Sequence, residues 1–158
     1  SDVYKRQQLT LCQKLSLDGV VMVTTPQEIA LEDVRKGSEM FKKVNVPILG
    51  IVENMSKLIL KGRLNSDSEN YDLQINNQNI RLDEKGEFEF EFKVFDGPGG
   101  LSESNRINVP MLGEICLDPK LSNSIDDGVP FVLNNENENI TKEFERIVEA
   151  IKKTLDKP

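Results

Sequence analysis

Histidine is absent from the 158 residues, and cysteine occurs only as Cys12 and Cys116. Without histidine, no Ser-His or Cys-His catalytic pair can form within the chain, and imidazole is lost as acid, base or metal ligand. Two cysteines far apart in sequence argue against a disulfide framework and for a reducing, cytoplasmic setting. No apolar run approaches the ~18 residues of a membrane span, so no membrane partner is expected. The first residues carry no apolar stretch of the secretory type. Basic residues are in the minority, 20 against 27 acidic ones, for a formal net charge of −7. That is the wrong sign for gripping nucleic-acid phosphates. What is present, 37% hydrophobic and 30% charged residues, suits one globular domain, alone or carrying a subdomain.

Apolar patterning gives the two ends of the chain an α/β character. Gly19 to Thr24 is a nearly continuous apolar run, as in a strand buried on both faces. Thr25-Pro26-Gln27-Glu28 then reads as a helix start, with Thr25 as cap, Pro26 at the first helical position and Glu28 closing a capping box. Ala30, Val34, Gly37, Phe41 and Val44 share one helical face, Asn45 ends the helix, and a second buried strand follows over Ile48 to Val52. Strand, helix and strand in this order imply a parallel pair. After residue 109 the pattern resumes. Met111 to Leu117 is a strand, Asp118-Pro119 opens a short helix, Val129 to Leu133 is a short apolar segment, and a helix from about Asn139 carries Ile140, Phe144, Ile147, Val148, Ile151 and Leu155 on one side.

Residues 57–95 follow a different rule. The stretch LGIVENMSKLILKGRL begins as an unbroken apolar run, pauses at Glu53-Asn54, and turns to alternation after Ser56. Leu58, Leu60 and Leu64, then Tyr71, Leu73 and Ile75, then Ile80 and Leu82, then Phe88, Phe90, Phe92 and Val94 alternate with polar residues, Ile59 being the one exception in the first stretch. Turns are expected at Asn65 to Ser68, at Asn76-Asn77 and at Asp83 to Gly86. This is an antiparallel meander with one apolar and one charged face. Its apolar face needs cover, from the sheet edge or from another chain.

The α/β stretches carry a resemblance. QLTLCQKLSLDGVVMVTTPQEIALEDVRKGSEMFKKVNVPILGIVENMS and GGLSESNRINVPMLGEICLDPKLSNSIDDGVPFV resemble the Mrp family of P-loop ATPases, iron–sulfur cluster carriers related to the MinD/ParA and nitrogenase-iron-protein group. The resemblance covers roughly two thirds of the chain. It implies a partial doubly wound parallel sheet of α/β class, P-loop NTPase-like, with an inserted small antiparallel β meander. It divides the chain into a non-family leader over 1–7, the C-terminal part of the ATPase domain over 8–56 and 96–158, and a β-rich insertion over 57–95. The leader reads as foreign sequence on a truncated product.

Two family features are missing from these residues. No Gly-rich loop with its lysine and Ser/Thr, the element that holds phosphates and Mg²⁺, occurs in the chain. The Cys-x-x-Cys pair that the family places after ENMS is also missing, since no cysteine lies between Ser56 and Gly100. The resemblance implies ATP and an iron–sulfur cluster as the bound groups, a homodimer, and apo iron–sulfur proteins as clients. Neither group is expected to bind tightly to this chain alone, and ATP hydrolysis is not expected of it.

The resemblance also assigns residues. Asn54 matches the family asparagine that contacts adenine, and an amide offers donor and acceptor to a purine edge. The competing reading is a loop amide that caps its own turn. Asp118 and Pro119 match the loop that closes over adenine; they equally suit a plain helix start. Cys116 stands where the family commonly has proline, and it and Cys12 read first as small hydrophobes. Gly97-Pro98-Gly99-Gly100 has the look of a phosphate cradle, though the family uses glycines there as a hinge into the next helix. Asp33, Arg35 and Lys36 read as a solvated helix face. No catalytic residue and no metal ligand is assigned. The resemblance describes a fragment of an ATP-binding cluster carrier; the missing motifs describe a non-catalytic remnant or interaction module that keeps the fold.

Overall fold

The computed structural model describes residues 2–64, 73–136 and 138–156. In chain order the elements are α1 (Asp2–Lys14), β1 (Val20–Thr24), α2 (Glu28–Lys43), β2 (Ile48–Arg63), β3 (Leu73–Ile75), β4 (Gln78–Ile80) and β5 (Glu87–Phe92). They continue with α3 (Gly99–Ile107), β6 (Met111–Leu117), α4 (Pro119–Asp126), α5 (Phe131–Asn134) and α6 (Asn139–Leu155). The class is α/β. β2 lies between β1 and β6, parallel to both, and β5 joins the same sheet antiparallel to the far half of β2. β3 and β4 form a separate antiparallel pair.

Buried parallel strands send successive side chains to opposite faces, so each face needs its own layer. Val20 and Met22 of β1 and Ile51 of β2 enter one cluster, with Val34 and Phe41 of α2 and Ile107 of α3. Val21 of β1 and Val52 of β2 enter the other, with Leu112, Ile115, Phe131, Ile140 and Ile147. Helices therefore cover both faces. The expected face of α2 is centred one residue off: Leu31, Val34, Ser38 and Phe41 are buried. Asn45 ends α2 in the left-handed conformation at φ 57°, with its N–H directed to the Lys42 carbonyl. α1 had no counterpart in the patterning; its Cys12 packs against the first cluster.

Three boundaries differ from expectation. α2 starts at Glu28 with Gln27 as its cap and no side-chain capping bond, so the Thr25 box does not form. Pro26 is instead drawn toward the loop before α3, where its carbonyl accepts the Gly99 N–H. Residues around Val129 to Leu133 give the short helix α5. Most consequential, β2 does not stop at Val52. It runs sixteen residues to Arg63, and the pause at Glu53-Asn54 becomes a bulge. There Asn54 to Leu58 on β2 span the distance from Ile115 to Leu117 on β6, and Met55 takes a left-handed φ of 56°.

Beyond the bulge β2 and β5 make a ribbon. Leu58, Leu60 and Gly62 stand opposite Phe92, Phe90 and Phe88, while Ile59, Lys61 and Arg63 stand opposite Glu91, Glu89 and Glu87. Paired residues share a face, so one side is apolar and the other is a ladder of opposite charges. The ladder includes Lys61–Glu89 at 2.9 Å and the diagonal Lys57–Glu91 at 2.8 Å. Phe88 lies over the bare backbone of Gly62, and the rings of Phe90 and Phe92 sit 6.4 Å apart. Phe90 is buried, whereas Leu60 remains 41% exposed; the apolar face is covered at its centre and open at its margin. Asn76 and Asn77 both take positive φ in the β3–β4 turn, the conformation a two-residue hairpin of this twist demands. Asp83 closes the next turn by accepting the N–H groups of Lys85 and Glu87 at 2.9 and 2.8 Å, bonds that hold its carboxyl below the usual range. The expected turn at Asn65 to Ser68, and Tyr71, lie outside the described residues. Phe90→Asp places a charge at the covered centre of the ribbon, and a loss of about 3–5 kcal/mol in denaturant melts is expected. A loss below ~1 kcal/mol would mean that the ribbon contributes nothing to the fold.

Candidate functional site

In open parallel sheets, ligands sit beyond the carboxyl ends of the strands. Here that rim carries Thr24 at the end of β1 and Thr25 after it, Glu53 and Asn54 where the parallel part of β2 ends, and Asp118 after β6. Asn54 and Asp118 lie on adjacent strands. Asn54 is level with Ile115, so Asp118 lies three residues further out, about 10 Å at the usual rise per residue. Both therefore belong to the same rim, on neighbouring strand ends.

Each is also occupied locally. The Asn54 side-chain oxygen accepts the Met55 N–H at 2.9 Å, which supports the left-handed turn there and leaves the NH₂ as the side chain's donor group. Asp118 caps α4 by accepting the Lys120 N–H at 2.7 Å, with Pro119 in the first turn behind it.

The Gly97–Gly100 turn does not form a free cradle. The Gly99 N–H goes to the Pro26 carbonyl at 3.4 Å, and the Gly100 N–H goes to the Glu53 carboxylate. A Cβ at Gly97 would lie 1.9 Å from the Pro26 oxygen, and one at Gly99, where φ is +72°, would lie 2.9 Å from Glu53 Oε2. Only glycine permits both approaches. Glu53 was not singled out by sequence reasoning. An acid directly after the apolar run Leu49 to Val52 is the local signal that could have found it.

Arg35 is not merely a solvated side chain. Its Nε donates to Glu103 at 3.1 Å, Arg106 donates to the same carboxylate at 2.9 Å, and Arg35 also reaches Glu28 at 2.6 Å. Glu103 is 1% exposed. Burial pushes its carboxyl up, but the hydrogen bonds and charges of Arg106 and Arg35 outweigh that and hold it below the usual range. Ser38 joins the cluster, donating to the Arg35 carbonyl at 2.8 Å and accepting from Arg106 at 3.3 Å. These bonds fasten α3 to α2.

On the α6 side, an open groove of about 980 Å³ runs between the charged face of the ribbon, β6 and the start of α6. Lys120 pairs with Glu138 across it at 2.9 Å. Cys116 lines this groove, while Cys12 packs in the first core cluster. Burial pushes the Cys116 thiol up despite Lys57 and the Ser56 hydroxyl, so it stays protonated at neutral pH. Among the described residues, no group of three or more His, Cys, Asp or Glu is placed to hold a metal, and no helix is long and apolar enough to cross a membrane.

The family profile described as ParA: NUBPL iron-transfer P-loop NTPase matches residues 5–72 and 75–152. The match thus runs through most of residues 57–95. The chain is similar to the iron-sulfur cluster carrier protein of Aquifex aeolicus, 32% identical over 150 residues that make up 94% of this chain and 34% of that protein. It is similar to the iron-sulfur cluster transfer protein NUBPL of Dictyostelium discoideum, 30% identical over 94% of this chain and 38% of that protein. In fold it is similar to a nucleotide-binding protein from Archaeoglobus fulgidus solved in complex with ADP, with a TM-score of 0.54, 24% identity, and coverage of 86% of this chain and 44% of that one. The chain spans about a third of the length of these curated relatives.

Glu103→Ala strands two guanidinium groups that are themselves partly hydrated, so the expected loss is about 2–3 kcal/mol, below that of a fully buried pair. The sign with pH follows from the lowered carboxyl. Its contribution is complete above the unfolded carboxyl value near ~4.3 and fades as pH falls through the folded value. Melts of the native chain and Glu103→Gln should therefore differ at pH 7 and converge in acid; a gap that widens in acid would contradict the assignment.

Proposed function

We propose, for a chain that belongs to the NUBPL-type iron-transfer P-loop NTPases of the ParA family, the role of the base-side portion of an ATP-binding iron–sulfur cluster carrier in iron–sulfur protein maturation. The observation that carries this reading is the rim itself. Asn54 and Asp118-Pro119 stand at the carboxyl ends of neighbouring parallel strands, where open α/β sheets take nucleotides. The Asn54 NH₂ is the donor for a purine ring nitrogen, and Asp118 with Pro119 forms the outer lip. ATP would bring its phosphates to a Gly-rich loop that these 158 residues do not include. The N–H groups of Gly99 and Gly100 cannot replace it, because Pro26 and Glu53 already use them.

The cluster is cargo in this role, and the residues of this chain do not fit it. Cys116 is a raised thiol in a groove and Cys12 is a core side chain, whereas clusters are held by several thiolates. The ribbon stands where the family places its Cys-x-x-Cys pair, and this favours a second reading, an interaction module built on the carrier fold. A homodimer, apo iron–sulfur clients and a cytoplasmic setting belong to the first reading.

An NMR titration of the 158-residue chain with ATP tests the base-side site. Shifts at Asn54, Asp118 and Lys120 are expected, with Kd no tighter than ~1 mM, about −4 kcal/mol, and with no phosphate released. Asn54→Ala should remove the shifts. Micromolar binding would contradict this reading, as would shifts confined to other surfaces.

A further inference from the structure

We propose that Glu53 is the positioning residue of the base-side rim: its buried carboxylate ties the start of α3 to the end of parallel β2 and thereby fixes where Asn54 is presented. The proposal rests on the nucleotide reading of Asn54 for its functional meaning, but its geometry stands apart from it. Glu53 is 8% exposed. A carboxylate so placed is costly unless it is bonded, and it accepts the Gly100 N–H in the first turn of α3. That N–H has no partner within the helix, and the helix N-terminus carries partial positive charge, so an anionic acceptor suits it twice over.

Three segments converge on this contact. Gly99 and Gly97 lie against Pro26 of the β1–α2 turn, and Gly100 packs against Thr24 and Ile51. Glu53 is bonded in sequence to Asn54, whose side chain closes on the Met55 N–H at the left-handed turn. Glu53 stands in register with Thr24 on β1 and Glu114 on β6, so a carboxylate pinned on α3 fixes the last fully paired residue from which the chain turns at Asn54 and Met55. The far end of α3 is fastened separately through Glu103 to Arg35 and Arg106. α3 is therefore held rigidly enough for Glu53 to take its position from it. Glu53 does not touch the purine in this arrangement; it acts through Asn54.

Amide exchange and NMR on the full ¹⁵N-labelled chain test this. In the native chain the Gly100 N–H should be protected about 10- to 100-fold beyond an unpaired first-turn amide, the strength of a charge-assisted hydrogen bond. Glu53→Gln keeps the shape and loses the charge; Glu53→Asp keeps the charge and loses the reach. Both should erase most of that protection and move the Met55 N–H and Asn54 side-chain NH₂ resonances, while the Ile147 amide in α6 stays unchanged. Unprotected Gly100 in the native chain overturns the proposal without any variant. Unmoved Asn54 and Met55 signals overturn it too, as does an equal rise in exchange across the whole core, which a merely structural residue would give. ATP titration separates the two claims. If native Asn54 ignores ATP while the variants still move it, the nucleotide reading fails and the anchor stands; if the variants leave Asn54 in place, the anchor fails and the nucleotide reading stands.

Discussion

The architecture depends on one strand that changes partners along its length. In its first half, β2 is the centre of a parallel sheet, hydrogen-bonded to β1 on one edge and β6 on the other. In its second half it pairs antiparallel with β5, and Leu58 is the residue at which β5 and β6 meet on opposite edges. The two regimes have different demands: apolar side chains on both faces in the first, alternation in the second. The left-handed Met55 and the buried Ser56, whose hydroxyl bonds the Ile115 carbonyl at 3.3 Å, let one backbone satisfy both. A non-glycine residue at positive φ costs stability, and here the cost is offset by the bond from Met55 N–H to Asn54.

That constraint also places the rim on which the proposed nucleotide site rests. The parallel regime ends at Glu53-Asn54, so the carboxyl-end rim of the sheet begins where the bulge does. Had β2 simply ended at Val52, Glu53 and Asn54 would belong to a loop with freedom to move. Continued pairing beyond Ser56 holds both ends of the bulge. Glu53 is thereby held where its carboxylate meets the first turn of α3, and the ribbon with β5 follows directly after the bulge. The same continuity gives the groove beside Cys116 its charged wall of Lys57, Lys61, Glu89 and Glu91.

Much of this was legible in the residues. The nearly continuous apolar run at Gly19 to Thr24 and the mostly apolar stretch Met111 to Leu117 marked the parallel strands, and Asp118-Pro119 marked a helix start, because burial on two faces and capping leave local signatures. Strict alternation from Phe88 to Phe92 marked β5 for the same reason. The errors came from non-local causes. Glu53-Asn54 looked like a strand end because polar residues interrupt apolar runs at both ends and bulges. The Thr25 capping box failed because Pro26 is claimed by Gly99, far away in sequence. Arg35 looked solvated because its acceptor, Glu103, lies on another helix. Asn54 and Asp118 could be named from the residues alone, but their placement at neighbouring strand ends depends on register, which no local pattern states.

The most direct test of the central claim is native-state hydrogen exchange read residue by residue along β2. A single strand joined at a bulge predicts protected amides both in the parallel half, at Ile51 and Val52, and in the ribbon, at Leu60 and its partner Phe90. Protection that ends at Val52, with free exchange from Lys57 onward, would contradict it and return the join to a loop between two independent pieces.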